Sequence, residues 1–551
     1  MSLTLWHRSL SGHRSLSGHR SLLERRTLPG RRTLLASAVA GLLAAPLALS
    51  EANAQIPPDV LVVGQVAEPA TMDPHVATAV NDFRILVNIY DGLVRYAPGT
   101  LEVEPALAES WEISDDGTVY TFQLRDGVTF HDGTPFDAAA VKFNFDRMLD
   151  EDHPLHGTGP FPLSFFFGAI EETEVVDDLT VRFHLDEPYA PFLSNLAYPT
   201  GLLVSPTAVE THVDDFARNP AGTGPFAFRV WESNRQVALQ RNEDYWNGTP
   251  PLAGVVFRPI TDANARVSEM LSGNIDLMVE VPPDNVQLFA EDPGFVLHEE
   301  AGPHLWFLIL NAKEPPFDDV RVRQAVNYAI DKESLVTNVL QGTATVATGP
   351  TPEAFGWAYN DELEPYPYDP DRARELLAEA GYEDGVQTVF YVTEGGSGML
   401  DPVPMGTAIQ ADLAAVGIDA RIETYEWNTF LNRVNPGLEG RAGMAQMAWM
   451  TNDPDTLPFL ALRTDAMPDQ GGFNSGYYSN PEVDALLEQA RRETDQDERA
   501  RLYKEMQVIV QEDAPWAFIA NWKQNAVTTA AVENFQLEPS FLLILKDVAK
   551  N

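Results

Sequence analysis

Leu61-Val62-Val63 is a short apolar run of the kind that buried strands carry, and the helical stretch after it closes at Tyr90-Asp91-Gly92-Leu93-Val94. Trp111-Glu112-Ile113 and Val119–Leu124 are strand-like. The Ser114-Asp115-Asp116-Gly117 between them predicts a hairpin, because glycine supplies the positive φ such a turn requires. A second turn is predicted at Phe130–Phe136, then a helix over Ala138–Leu149 with Val141, Phe145 and Met148 on one face, then an alternating strand over Asp178–Leu185. Gly222-Thr223-Gly224-Pro225-Phe226 marks a change of direction and a candidate crossover between lobes. Beyond Asn311 helices and strands alternate. Asp319 and Asp331 can cap successive helices, Asp369-Pro370 opens another that buries Leu376 and Leu377, and Asn480-Pro481 opens one through Leu486 and Leu487. Strands are predicted at Thr388–Val392 and Ile418–Thr424, around a helix containing Ile409 and Leu413, and at Trp516–Ile519, returning towards the first lobe. This β-α-β rhythm predicts an α/β second lobe.

A chain of 551 residues exceeds one hydrophobic core, which stops growing near roughly 250–300 residues, so at least two lobes are expected. With 44% hydrophobic and 10% aromatic residues, 37 glycines and 41 prolines, it is a folded, turn-rich chain. Past the N-terminal region no run approaches the roughly 20 apolar residues of a membrane helix, so the mature chain is not expected to span a membrane. The formal net charge is −44, yet seven of the 37 basic residues and only two of the 81 acidic ones lie in the first 54 positions. Such acidity disfavours nucleic acid and anionic membrane surfaces as partners. Because the acids are spread along the whole chain, they read as a solubility device suited to high salt in preference to a trap for cations. There are no cysteines, which excludes disulfides, thiolate metal sites and a lipid-anchored N-terminal Cys.

The N-terminal region reads as an address. His7-Arg8-Ser9-Leu10-Ser11-Gly12 recurs at His13–Gly18 without any core pattern. Arg31-Arg32-Thr33-Leu34-Leu35, an apolar stretch broken at Pro46, and Ala52-Asn53-Ala54 then make residues 1–54 a signal peptide of twin-arginine type. Cleavage is expected before Gln55, with release into the periplasm.

Catalytic patterns are scarce. No His-Glu-x-x-His pair exists, Gly395-Gly396-Ser397-Gly398 lacks the glycine two residues past the serine that a nucleophile elbow needs, and no phosphate-binding Gly-rich loop is present. His153 and His156 alone are too few for a metal site. Asp453-Pro454-Asp455 lacks the further ligands that calcium would require. The reading is of a binding protein and not an enzyme, with no cofactor and no metal. A secreted hydrolase or chaperone is the remote alternative.

The run Leu107–Gly117, continued by Tyr120–Val128 and Phe130–Phe136, closely resembles the signature of family 5 extracellular solute-binding proteins, the peptide, oligopeptide and nickel group. The resemblance continues through Gly222–Phe226, Tyr245-Trp246, Asp319–Ala325, Tyr368-Asp369-Pro370, Tyr425-Glu426-Trp427 and Asn480–Asp484. It implies an α/β, bilobal periplasmic-binding-protein fold with a hinge and an additional inserted domain in the first lobe. The implied division is 55–96, 221–312 and 522–551 for the first lobe, 97–220 for the inserted domain and 313–521 for the second lobe. A small-molecule or short-peptide ligand would bind between the lobes, which close over it, and the closed form would dock, as a monomer, on the inner-membrane permease of an ATP-binding-cassette importer.

In dipeptide-binding members an Asp three residues after a second-lobe Trp pairs with the peptide ammonium. That Trp resembles Trp449; the third residue after it is Asn452, and Asp453 could serve one position along. Those members also carry an Arg for the peptide carboxylate, whereas residues 393–399 contain none. A cleft keeping Asp453 and Glu394 without an Arg would suit a cationic or neutral ligand, so a nickel chelate, opine, polyamine or other small nutrient stands beside the peptide reading. Trp427, Tyr425, Trp449, Phe473, Tyr477 and Tyr478 are candidate stacking faces. Trp306 and His304 lie on the strand implied to line the first-lobe wall, with a structural role the simpler one for His304. Glu68 and Met72 lie in a loop resembling a first-lobe ligand contact.

Overall fold

The computed structural model describes residues 57–396 and 398–551, so the predicted signal segment lies outside the described residues. Twelve strands form one hydrogen-bonded sheet whose two halves share a single strand, Trp516–Thr529. On one side, Val60–Gln65 runs parallel to Gly254–Pro259 and to Leu277–Val279. Leu277–Val279 and Phe295–Ala301 then flank the second half of the shared strand, both antiparallel, with Met278 and Leu297 opposite Val527. On the other side, the first half pairs with His304–Leu310 and Ala344–Val346. Beyond these lie Met444–Met450, antiparallel to His304–Leu310, then Val386–Thr393 and Ile418–Tyr425, parallel to one another. The fold is the expected bilobal α/β class. The shared strand is much longer than the predicted Trp516–Ile519, because its second half carries polar residues that an apolar-run reading stops at.

His304–Leu310 corrects one expectation. It sits between Met444–Met450 and the first half of the shared strand, in the second half-sheet and not in a first-lobe wall. Leu305, Phe307 and Ile309 bury into one core, and Trp306, Leu308 and Leu310 into the core on the opposite face. A strand covered on both faces must be apolar throughout, which is why its sequence does not alternate.

The inserted region holds a four-stranded antiparallel sheet of Ala108–Ile113, Val119–Leu124, Thr180–Leu185 and Ile170–Asp177. The predicted hairpin forms, with Gly117 at φ 71°. Asp137 caps the helix Ala138–Leu149 through Ala140 N at 2.8 Å, and Val141, Phe145 and Met148 are buried as the 3.6-residue period requires. In the second lobe Asp319, Asp369 and Asn480 cap their helices as predicted. After Asp331, only Lys332–Ser334 is α-helical before the chain relaxes into a π turn over Leu335–Val339.

Several motif residues meet at one buried joint. Asp91 accepts hydrogen bonds from Thr223 Oγ1, Tyr245 Oη and Trp246 Nε1, each at 2.9 Å. A Cβ on Gly222 or Gly224 would overlap the Ile89 backbone. These glycines and aromatics serve the scaffold.

Candidate ligand-binding cleft

The strand Met444–Met450 runs out of the second-lobe core at its C-terminal end and delivers Trp449 and Thr451 to the boundary between lobes, where Thr451 N donates to Pro303 O at 2.9 Å. There a cavity of about 660 Å³ opens. Trp449, Phe473 and Leu460 wall it from the second-lobe side; Phe83, Pro303, Phe541 and Leu542 wall it from the first, with Phe165, Phe166 and Tyr198 from the inserted region. Its size suits a small ligand. Aromatic rings are prominent in the walls: Trp449 and Phe473 meet edge-to-face at 5.3 Å, and Tyr198 meets Phe166 at 5.6 Å and Phe83 at 5.4 Å. Phe165 and Phe473 remain substantially exposed, at 54% and 39%. Among the described residues lining the cavity, none is charged. The polar residues of the lining are neutral, among them Trp449, Tyr198, Thr451, Asn452 and Ser540. A second depression of about 410 Å³, near Asn311, Thr388 and Arg441, is lined from the second lobe alone.

Beside the cleft the inserted region touches the second lobe through the short helix Phe192–Ala197. Asn452 Nδ2 donates to Asn195 Oδ1 at 2.6 Å, and Ser194 Oγ donates to Asp453 Oδ2 at 2.9 Å. Ala190 N donates to Arg491 O at 2.8 Å, and Arg492 pairs with Glu187 at 2.7 Å. Asp453 is buried and pairs with Arg499 at 3.0 Å, while Asp455 pairs with Arg491 at 3.0 Å. Burial raises the Asp455 carboxyl to about 6, against the attraction of Arg491.

Of the ten residues singled out from sequence, Trp449 and Asn452 line the cavity. Asp453 lies next to it with its carboxylate already engaged by Arg499, Ser194 and Asp455 N, which leaves no unpaired charge for an ammonium. Trp427 stacks on Phe430 at 5.8 Å and fills the space over Gly396, away from the cavity lining. Tyr425 donates to Glu423 at 2.5 Å and lies under Arg433 at 4.3 Å. Tyr477 lies under Lys313. Glu68 accepts from Trp231 Nε1 at 2.7 Å and Asn234 N at 2.8 Å, within the first lobe, and Met72 and Trp306 are core residues. His304 is fully buried, bonded through Nε2 to Gly398 O at 2.9 Å and accepting Trp522 N at Nδ1 at 3.2 Å. Burial lowers it to about 4, so it is a neutral structural histidine. Sequence reasoning missed Tyr198, Phe83, Phe541 and the Phe165-Phe166 pair. The run Ser164-Phe165-Phe166-Phe167 in a turn-rich stretch was the one available signal.

Two α/β lobes joined by a shared strand, with a cavity between them, define a bilobal binding protein. The model of bacterial extracellular solute-binding proteins, family 5, middle part, matches residues 102–468. The chain is 36% identical over 468 residues to heme-binding protein A of Haemophilus influenzae, covering 82% of this chain and 85% of the relative. It is 33% identical over 507 residues to di/tripeptide-binding protein 2 of Pseudomonas aeruginosa, covering 89% and 94%. The structure of HbpA2 from Haemophilus parasuis superimposes with a TM-score of 0.81 at 31% identity, covering 89% of this chain and all of that one. The chain belongs to the family 5 extracellular solute-binding proteins, which are transport receptors.

Proposed function

We propose that this chain is the exported periplasmic receptor of an ATP-binding-cassette importer, taking a peptide or peptide-like solute into the cleft and presenting it to the permease as a monomer, without catalysis. The observation that carries this reading is the cavity of about 660 Å³ walled by both lobes and closed by direct contacts across them. The di/tripeptide-binding relative supports the peptide class. The inserted domain is proposed to span 97–220. Because His304–Leu310 pairs with Met444–Met450, the second lobe is proposed to begin near residue 304. Among the described residues no helix is long and apolar enough to cross a membrane.

A non-peptide solute is the second reading, and the engaged carboxylate of Asp453 favours it over an ordinary free dipeptide. Native mass spectrometry of the purified protein, followed by calorimetric titration of the solute identified, tests both. A bound peptide-type solute supports the first reading and a bound non-peptide supports the second. Turnover of the bound solute would refute the receptor reading.

A further inference from the structure

The walls of the cleft and the charges around it restrict what can be buried there. Asp453, Asp455 and Arg84, which neighbour lining residues in sequence, are each paired within the protein. Asp453 holds Arg499, and Arg499 also donates to Ala490 O at 3.0 Å and approaches Tyr503 Oη at 3.3 Å. Arg491 holds Asp455. Next to Phe83, Asp82 accepts from Ala70 N at 2.9 Å, while Arg84 turns away to Glu280 at 2.8 Å and to Phe541 O at 3.2 Å. An ammonium or carboxylate entering the cavity would shed water and meet aromatic and aliphatic side chains and neutral polar residues, with no opposite charge in the lining. That exchange is unfavourable for each ionised group. The same walls are well suited to apolar surface: Phe165 from the inserted region and Phe473 from the second lobe are left exposed at the cavity, where a ligand would cover both.

We propose that the part of the ligand buried in this cleft carries no formal charge: a hydrophobic, peptide-like solute whose ends are blocked or joined, recognised by aromatic contact and by neutral polar residues of the lining such as Thr451 and Asn452. The inference rests on the cavity being the ligand site. It replaces recognition by charged termini with selection against them, since the groups that would neutralise a terminus are committed to partners within the protein.

Calorimetric titration of the purified protein with Leu-Phe, N-acetyl-Leu-Phe-amide and cyclo(Leu-Phe) tests this. The two uncharged forms are expected to bind at least about tenfold more tightly than the zwitterion. Equal or tighter binding of the zwitterion overturns the inference and leaves the receptor reading standing. If no peptide form binds and native mass spectrometry finds no co-purified solute, the receptor reading falls and the inference with it. Thr451→Asp gives a second readout by placing a carboxylate in the lining. It is expected to shift preference towards the cationic Leu-Phe-amide by about tenfold or more. An unchanged preference in a folded variant would overturn the placement of the buried group.

Discussion

Trp449 lines the cavity, meets Phe473 edge-to-face and packs only at the margin of a second-lobe core, being partly buried where the earlier residues Met444–Met447 of its strand are buried. Trp449→Ala should therefore weaken binding of the cognate solute by about tenfold or more while the melting temperature moves by only a few degrees. Calorimetric titration and scanning calorimetry read the two quantities separately. His304 behaves in the opposite way, as a stability residue. Its folded value of about 4 lies below its ordinary 6.5, so its contribution is full above pH 6.5 and is lost as pH falls towards 4. Asp455, raised to about 6, acts in the reverse sense: its contribution is present below the ordinary carboxylate range and lost as pH rises through 6. Comparing wild type with His304→Gln isolates the histidine. Between pH 7 and 4.5, urea unfolding should show wild type losing about 2 kcal/mol more than the variant.

Among the elements, the short helix Phe192–Ala197 acts as the catch between lobes, through Ser194 and Asn195. Asn195→Ala removes the partner of Asn452 and also the support of Phe166 O and Tyr189 Oη. Affinity should fall several-fold, by about 1 kcal/mol, and small-angle scattering should show the unliganded protein shifted towards an open form. Much of this scaffold was legible in the sequence. Asp137, Asp319, Asp369 and Asn480 announce helix starts by local hydrogen bonding, and the Gly222-Thr223-Gly224 and Tyr245-Trp246 motifs are set by the buried joint at Asp91. The cleft was much less legible, for a physical reason. Trp449 stood out by its resemblance, but the fate of Asp453 depends on Arg499, 46 positions later, and that partnership exists only in three dimensions. Tyr198, Phe166 and Phe541 come from three separate segments whose local sequences give no cue that they share a wall.

Over the whole molecule the acidity is the dominant field. With a net charge of −44, self-repulsion opposes compaction at low ionic strength, and salt screens it over a distance of about 10 Å at 0.1 M and about 3 Å at 1 M. Raising NaCl from about 0.05 to about 1 M should raise the melting temperature by several degrees, as scanning calorimetry will read. Little change would mean that the local ion pairs already offset the excess.

The strand Trp516–Thr529 also decides how the protein comes apart. It is a member of both half-sheets, with its first half bonded to His304–Leu310 and its second to Leu277–Val279 and Phe295–Ala301. Neither half can melt without stripping hydrogen bonds from a segment the other still holds, so the lobes are bound into one cooperative folding unit in spite of their size. Calorimetry should record a single endotherm where two separable domains would give two. In native-state hydrogen exchange the amides of this strand should be among the last to open, giving up their protons only when the entire molecule unfolds.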